Sequence, residues 1–325
     1  MREAPTDGPA ECSKQPNAST MLNPSVNIII PAYSSALTIE DCLKSLQTQQ
    51  HSGEQFEIIV VDSGDDETQK ICEYYGVRCY HSSSKLSAGA ARNIGAETTE
   101  GKIVAFIDAD CIAPDLWLYH LQKDLDEFPE AFGILGTYEG GRSGLDKVRG
   151  GELMSSEKRI GFHRGFIEGN AAFRRQVFER DCRFGDMTYG ECVELSIELA
   201  QRGMQTVWDP SLKVYHKGHL TYRRMFAMDR AYARNSLRGG ARVSGISKLL
   251  FLTAMFVSLP FWPLATAVLA LFVLAVPLAY SLTDDMVAWN HRLRFLPILI
   301  SMRLSRLLAS VIETTLYLLR GASTR

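Results

Sequence analysis

Lys102-Ile103-Val104-Ala105-Phe106-Ile107-Asp108-Ala109-Asp110 is the stretch that decides the fold. Five consecutive apolar residues, Ile103 to Ile107, are followed at once by two acids. An apolar run of this length reads as a strand buried on both faces. Two similar runs precede it. Val26 to Ile30 (VNIII) stops at Pro31, and Phe56 to Asp62 (FEIIVVD) is dense in β-branched residues. Between them, residues 37–49 place Leu37, Ile39, Cys42, Leu43 and Leu46 on one side of a helix. Residues 66–75 and 87–97 read as further helices, with a short strand at 77–80. Strands alternating with helices predict an α/β fold, a mostly parallel sheet sandwiched by helices. Ligands of such sheets gather at the carboxyl ends of the strands, where Tyr33, Asp62, Asp108 and Asp110 fall.

Working outward, 116–128 predicts a helix, and 134–150 is Gly-rich and reads as irregular. Residues 166–180 suggest a strand, a turn and a helix. Residues 190–203 form a helix closed by Gly203. QTVWDPSLKVYH (205–216) predicts two short strands around a Pro turn.

The chain has 325 residues and a net charge of −2, but the charge is unevenly spread. Residues 213–248 hold nine Lys/Arg against Asp229, and residues 249–325 hold six Arg against Asp284, Asp285 and Glu313. The rest of the chain is strongly acidic, which argues against a nucleic-acid partner and for anionic lipid at the basic segment. The seven cysteines include no CxxC pair, so neither a zinc site nor a disulfide framework is expected, and a reducing compartment fits. Residues 1–25 are polar and read as a disordered tail without an apolar leader.

Asp108 and Asp110 stand two apart. On an extended segment their carboxylates share one side, and such oxygen pairs suit Mg²⁺ or Mn²⁺. A metal there would neutralise a diphosphate. The bland alternative for a bare Asp-x-Asp is a loop cap. Asp62, in VVDSGDDET, is either a turn residue or a hydrogen-bond acceptor for a nucleobase beside Pro31-Ala32-Tyr33. Arg92 is either a surface ion-pair partner or a contact for a nucleotide phosphate.

Taken together, PAYSSALTIEDCLKSLQ, VVDSGDDET, AGAARNIGAETTEGKIVAFIDAD and GNAAFRRQVF resemble, in order, the signatures of family 2 inverting glycosyltransferases of the GT-A fold, over residues 26–216. The resemblance implies that Pro31, Ala32, Tyr33 and Asp62 hold the nucleoside of a nucleotide-diphosphate sugar, with Arg92 close by. It further implies that Asp108 and Asp110 handle ribose, metal and diphosphate, and that Gly169-Asn170 borders the acceptor. Similar enzymes carry a His after a late strand near the metal. His216 is placed there, with His219 as a competitor.

One position departs from the family pattern. The resemblance expects Gly-Glu-Asp-x-Glu, whose Asp acts as general base, but the chain reads Gly190-Glu191-Cys192-Val193-Glu194. A Cys of ordinary pKa, about 8.5, is mostly protonated at neutral pH and is a poor base. Glu191 and Glu194 lie three apart on one helical face, and Glu191, adjoining the vacant position, is expected to act as the base. The alternative is that both only favour the helix N-terminus.

Residues 249–280 contain no charged residue and exceed the ~20 residues of one membrane crossing. Pro260 and Pro263 interrupt them, which leaves a hairpin or one long kinked helix. Arg242, Lys248, Arg292 and Arg294 flank the stretch and favour both ends on the cytoplasmic side. Upstream, Arg230, Arg234, Arg238 and Arg242 recur every four residues as a basic stripe. Downstream, Arg303, Arg306, Ser310, Glu313, Tyr317 and Arg320 line one side of an apolar helix.

The expected organisation is therefore a tail (1–25), a catalytic domain (26–220), a basic interfacial helix (221–248), and a membrane hairpin with an amphipathic helix (249–325). The expected protein is membrane-associated, with its catalytic domain cytoplasmic. It would transfer a sugar to a lipid-linked or glycan acceptor, with membrane lipid as a partner. The absence of Gln-x-x-Arg-Trp argues for one sugar per acceptor. Two other readings are a nucleotidyltransferase, disfavoured because PAYSSALT has no basic residue, and a non-catalytic nucleotide-sugar-binding membrane scaffold, prompted by Cys192. A dinucleotide dehydrogenase would need a Gly-x-Gly-x-x-Gly turn, which the sequence lacks.

Overall fold

A computed structural model describes residues 10–11, 25–50, 55–141, 143–149, 157–163, 166–187, 189–238 and 289–322. These fall into two compact units, one built mainly from residues up to 141 and from 156–218, the other from 142–149 and from 219 onward.

The first unit is a ten-stranded sheet with helices. In chain order it runs β1 (Ala10–Glu11), β2 (Val26–Ala32), α1 (Ile39–Gln47), β3 (Phe56–Asp62), α2 (Thr68–Tyr74), β4 (Arg78–His81), α3 (Ala88–Glu97), β5 (Ile103–Ile107), β6 (Cys111–Ile112), α4 (Trp117–Glu127) and β7 (Gly133–Glu139). After α5 (Gly144–Arg149), which belongs to the second unit, come β8 (Arg159–Gly161), β9 (Asn170–Arg174), α6 (Gln176–Glu179), α7 (Glu191–Gln201) and β10 (Thr206–His216).

The strand order is β1-β4-β3-β2-β5-β9-β7-β10-β6, with β8 on β10. Strands β4, β3, β2 and β5 are mutually parallel, as expected. Beyond β5 the expectation of a mostly parallel sheet fails. β9 runs antiparallel to both β5 and β7, so the sheet is mixed. The apolar runs report burial on two faces, which β9 shares, and burial carries no strand direction.

Alternation along the strands builds two cores. Ile28, Ile30 and Val60 join Leu43, Leu46 and Trp117 on one face, while Ile59 and Val61 meet Ala91 of α3 on the other. Gly95 of α3 lets that helix lie on Ile29, since a Cβ there would come within 2.4 Å of the Ile29 side chain.

Two elements differ from the sequence reading. Residues 134–150 contain a buried strand, β7, where an irregular segment was expected. Its glycines are packing devices: a Cβ on Gly136 would stand 2.4 Å from both Asn170 Nδ2 and Leu212 O. Residues 205–216 form one strand, not two. β10 pairs with β7 on both sides of a register shift between Trp208 and Lys213, which absorbs Pro210.

In the second unit, α8 (Tyr222–Arg238) and α9 (Trp289–Ala322) pack together, and Leu145 and Val148 of α5 join Met225, Leu299 and Met302 in a small core. Glu313 is buried and receives Arg230 Nη2 at 2.7 Å and Arg234 Nε at 3.2 Å. Part of the basic stripe assigned to headgroups therefore faces an acid of the neighbouring helix. Asp229, also buried, accepts from Ser305 and sits 3.6 Å from Arg306. The 249–280 hairpin lies outside the described residues. Among those described, no helix is long and apolar enough to cross a membrane.

Candidate active site

The carboxyl ends of β2, β3, β4 and β5 meet along one edge. Ala32, Asp62 and His81 stand in register there. Pro31 is the penultimate residue of β2, Ala32 is buried, and Tyr33 follows with its ring half exposed and Lys85 Nζ 3.9 Å from the centroid. Asp62 is fully buried. Its Oδ1 accepts from Gly64 N at 3.1 Å, and its Oδ2 lies 3.1 Å from His81 Nδ1. Each Asp62 oxygen thus has one partner within the protein. His81, which the sequence reading passed over, is the side chain beside it.

Asp108 and Asp110 separate. Residues 109–110 form a turn, closed by Cys111 N donating to Asp108 O at 2.9 Å. The same-side geometry of an extended segment therefore does not apply. Asp108 Oδ1 takes Arg92 Nη2 at 2.6 Å and Oδ2 takes the Tyr138 hydroxyl. Asp110 Oδ2 lies 3.4 Å from His216 Nε2. His216 ends β10, is paired in register with Cys111, and stacks on Tyr138 with centroids 4.5 Å apart.

Among the described residues, the cluster of potential metal-ligand atoms is Asp110, Cys111 and His216. Burial and the charges of Asp108 and Asp110 push the Cys111 thiol well up; Cys111 is buried, whereas the Asp110 carboxylate and the His216 imidazole are partly exposed. Two ligands of a cation at about 2.1 Å sit about 3 Å apart when near a right angle, so the Asp110–His216 spacing suits a divalent ion. His219 belongs to the second unit, where it lies 3.9 Å from Asp146.

Arg92 is 2% exposed. Its Nη1 reaches Glu191 Oε1 at 3.0 Å, and its guanidinium lies 5.5 Å from the Phe184 ring centroid. Burial alone would depress its charge, but Asp108 and Glu191 outweigh burial and raise its pKa further. Nε has no protein partner. Arg92 is therefore an interior charge joining two carboxylates, not a surface ion pair.

Glu191 opens α7 and is 7% exposed. Burial first, then the charge of Glu168, raise its pKa to about 7 against the pull of Arg92. Cys192 is buried, and its thiol is pushed far up by burial and by the charge of Glu168. Glu194 is exposed and lies over Gly185, where a Cβ would come 2.6 Å from its Oε2. Glu191 and Glu194 thus part company despite their helical spacing.

Glu168 was missed. It precedes Gly169, whose missing Cβ makes room for Asp108 and Tyr138: a Cβ there would meet the Asp108 carboxyl and the Tyr138 hydroxyl at 2.2 Å. The available signal was an acid directly before the Gly169-Asn170 pair already placed at the acceptor.

A mixed sheet of this order, with an acidic turn after its central parallel strand and a histidine brought beside it, defines an α/β protein of the GT-A-like kind. The backbone is similar to the mannosyltransferase PcManGT from Pyrobaculum calidifontis in complex with GDP-Man and Mn2+, with a TM-score of 0.58 at 17% identity over 93% of this chain and 91% of that one. It is also similar to S. aureus TarS in complex with UDP, with a TM-score of 0.52 at 19% identity over 90% and 91%.

More specifically, residues 27–181 match the model of Glycosyl transferase family 2. It is 35% identical over 101 residues to the glycosyltransferase AglE of Haloferax volcanii, which covers 29% of this chain and 33% of the relative. Glycosyltransferase AglD of the same organism is 31% identical over 119 residues, covering 34% of this chain and 19% of the relative. The matching stretches span a third or less of these two curated relatives.

Proposed function

We propose that the protein is an inverting glycosyltransferase that moves a sugar from a nucleotide-diphosphate donor to an acceptor in glycan or glycolipid synthesis. The observation that carries this reading is the Asp110–His216 pair, 3.4 Å apart, beside Asp108 and its buried partner Arg92 at the carboxyl edge of the sheet. Asp110 and His216 would hold Mg²⁺ or Mn²⁺, the mixed oxygen and nitrogen donors favouring Mn²⁺. Such an ion would supply charge neutralisation for the departing diphosphate. Asp108, fixed by Arg92 and Tyr138, would serve the ribose or diphosphate. Pro31, Ala32 and Tyr33 receive the nucleoside, with Asp62 acting through His81.

The acceptor is proposed to be lipid-linked and the protein membrane-associated, with the catalytic domain cytoplasmic. The uncharged run 249–280, flanked by Arg242, Lys248, Arg292 and Arg294, supports this reading.

The test is a thermal-shift screen of the full chain with GDP-mannose and UDP-glucose, with and without Mn²⁺, followed by product analysis. A bound donor stabilises the fold by mass action. Mn²⁺-dependent stabilisation and release of nucleoside diphosphate are expected. Pyrophosphate release would instead indicate a nucleotidyltransferase, and binding without turnover a scaffold.

A further inference from the structure

Asp108 follows β5 and His216 ends β10, two strands that β9 and β7 separate in the sheet. Both nevertheless touch the same side chain. We propose that Tyr138, on β7, is the positioning residue that joins them, its hydroxyl fixing Asp108 for the donor and its ring fixing His216 for the divalent cation. This rests on the sugar transfer proposed above and deepens it with a residue from a segment that the sequence alone marks as irregular.

The reach of Tyr138 follows from the sheet. It is paired in register with Val214 on a parallel strand, so it shares a face with Val214 and, two residues on, with His216. Its ring therefore meets the imidazole diagonally, with centroids 4.5 Å apart and planes 15° from parallel. In the other direction the hydroxyl passes the start of β9 and donates to Asp108 Oδ2. Gly169 lets it pass, because a Cβ there would stand 2.2 Å from both that hydroxyl and Oδ2.

Each contact removes a freedom that the backbone leaves open. His216 pairs with Cys111, and Lys217 N donates to Asp110 O at 3.0 Å, so the main chain already brings Asp110 and His216 together. Main-chain pairing places the Cα of His216 but not its ring. The Tyr138 ring covers a face of the imidazole, and the close backbone of Gly218 bounds its edge, where a Cβ would come 2.3 Å from Cε1. The imidazole is thereby kept with Nε2 3.4 Å from Asp110 Oδ2.

Asp108 is treated in the same way. Arg92 Nη2 holds Oδ1 at 2.6 Å, and a carboxylate held by one oxygen still swings about that contact. The Tyr138 hydroxyl on Oδ2 stops the swing. One phenol thus sets the orientation of a group on the donor side and of a group on the cation side, by two separate parts of its structure.

Two measurements on the full chain tell those parts apart. The first is Mn²⁺ binding without donor, followed by the electron paramagnetic resonance signal of free Mn²⁺. Tyr138→Leu should weaken it about 10–100-fold, the usual worth of a side chain that orients a metal ligand, while Tyr138→Phe, which keeps the ring, should stay within about twofold of wild type. The second is the concentration of GDP-mannose or UDP-glucose that gives a half-maximal thermal shift at saturating Mn²⁺. Tyr138→Phe should raise it about tenfold, as expected for one lost hydrogen bond to a charged group. Should Tyr138→Leu not fold, Tyr138→Met, which is flexible enough to fill the gap, carries the same expectation.

A merely structural tyrosine would move both affinities together, so the split between the two variants is what supports the assignment. Wild-type Mn²⁺ affinity in Tyr138→Leu overturns it. So does weakened Mn²⁺ affinity in Tyr138→Phe, and so does an unchanged donor response in that variant. Wild-type protein that binds Mn²⁺ but responds to neither donor overturns the transfer reading instead, and the hydroxyl's role with it, while Mn²⁺ binding still decides the role of the ring. Wild-type protein that binds no Mn²⁺ overturns both.

Discussion

Arg92 Nη2 lies 2.6 Å from Asp108 Oδ1, and the other terminal nitrogen of the same guanidinium lies 3.0 Å from Glu191. One interior cation thus neutralises an acid from the end of β5 and another from the start of α7. Removing it strands two carboxylates. Arg92→Leu should cost about 3–5 kcal/mol, the range for breaking a buried ion pair by deleting one partner, measured by urea unfolding at neutral pH.

Glu191 titrates at about 7 when folded, against an ordinary 4.5. Between those values the folded state binds more protons than the unfolded one, so its stability falls as pH rises from 4.5 to 7 and is then flat. The change from this group is on the order of 3 kcal/mol at most. Glu191→Gln should flatten that slope in urea titrations across the window.

Gly136 and Gly161 make a controlled pair. A Cβ on Gly136 meets the Leu212 carbonyl at 2.4 Å, whereas one on Gly161 meets nothing within 4 Å. Gly136→Ala should destabilise by about 1–3 kcal/mol through overpacking. Gly161→Ala should leave the denaturation midpoint within about 0.5 kcal/mol of wild type.

His216→Ala removes the nitrogen donor beside Asp110. The Mn²⁺ concentration giving a half-maximal donor-induced thermal shift should rise at least ~10-fold, since even supporting residues of metal sites are worth that much. His219→Ala, in the other unit, should leave it unchanged.

Glu313→Gln tests the helix pair of the second unit. Losing the carboxylate that receives Arg230 and Arg234 should cost about 1.5–3 kcal/mol. The loss should be read as faster amide exchange in α8 and α9, with the donor-induced shift kept.

The parallel half of the sheet was legible because β2, β3 and β5 each hold an apolar run, Ile28 to Ile30, Ile58 to Val61 and Ile103 to Ile107. β7 was not. Its glycines look like loop residues until the close approach of Asn170 and Leu212 is seen, and a contact between residues far apart in sequence leaves no local periodicity. At the site, the positions of Tyr33, Asp62, Asp108 and Asp110 at strand ends followed from topology. Which acids share a partner did not. Asp108 and Asp110 part because 109–110 turn, and Glu191 and Glu194 part because Arg92 draws in only the first.

The register shift in β10 has an evolutionary reading. Side chains alternate along a strand, so the number of residues between Trp208 and Lys213 sets the phase in which His216 arrives opposite Cys111. One residue more or fewer there would rotate the imidazole to the other side of the sheet while the apolar layers stayed in place. A single-codon length change in that short interval would separate His216 from Asp110, undo the proposed ion site and leave the apolar layers behind, a short route from the proposed enzyme to a binding protein.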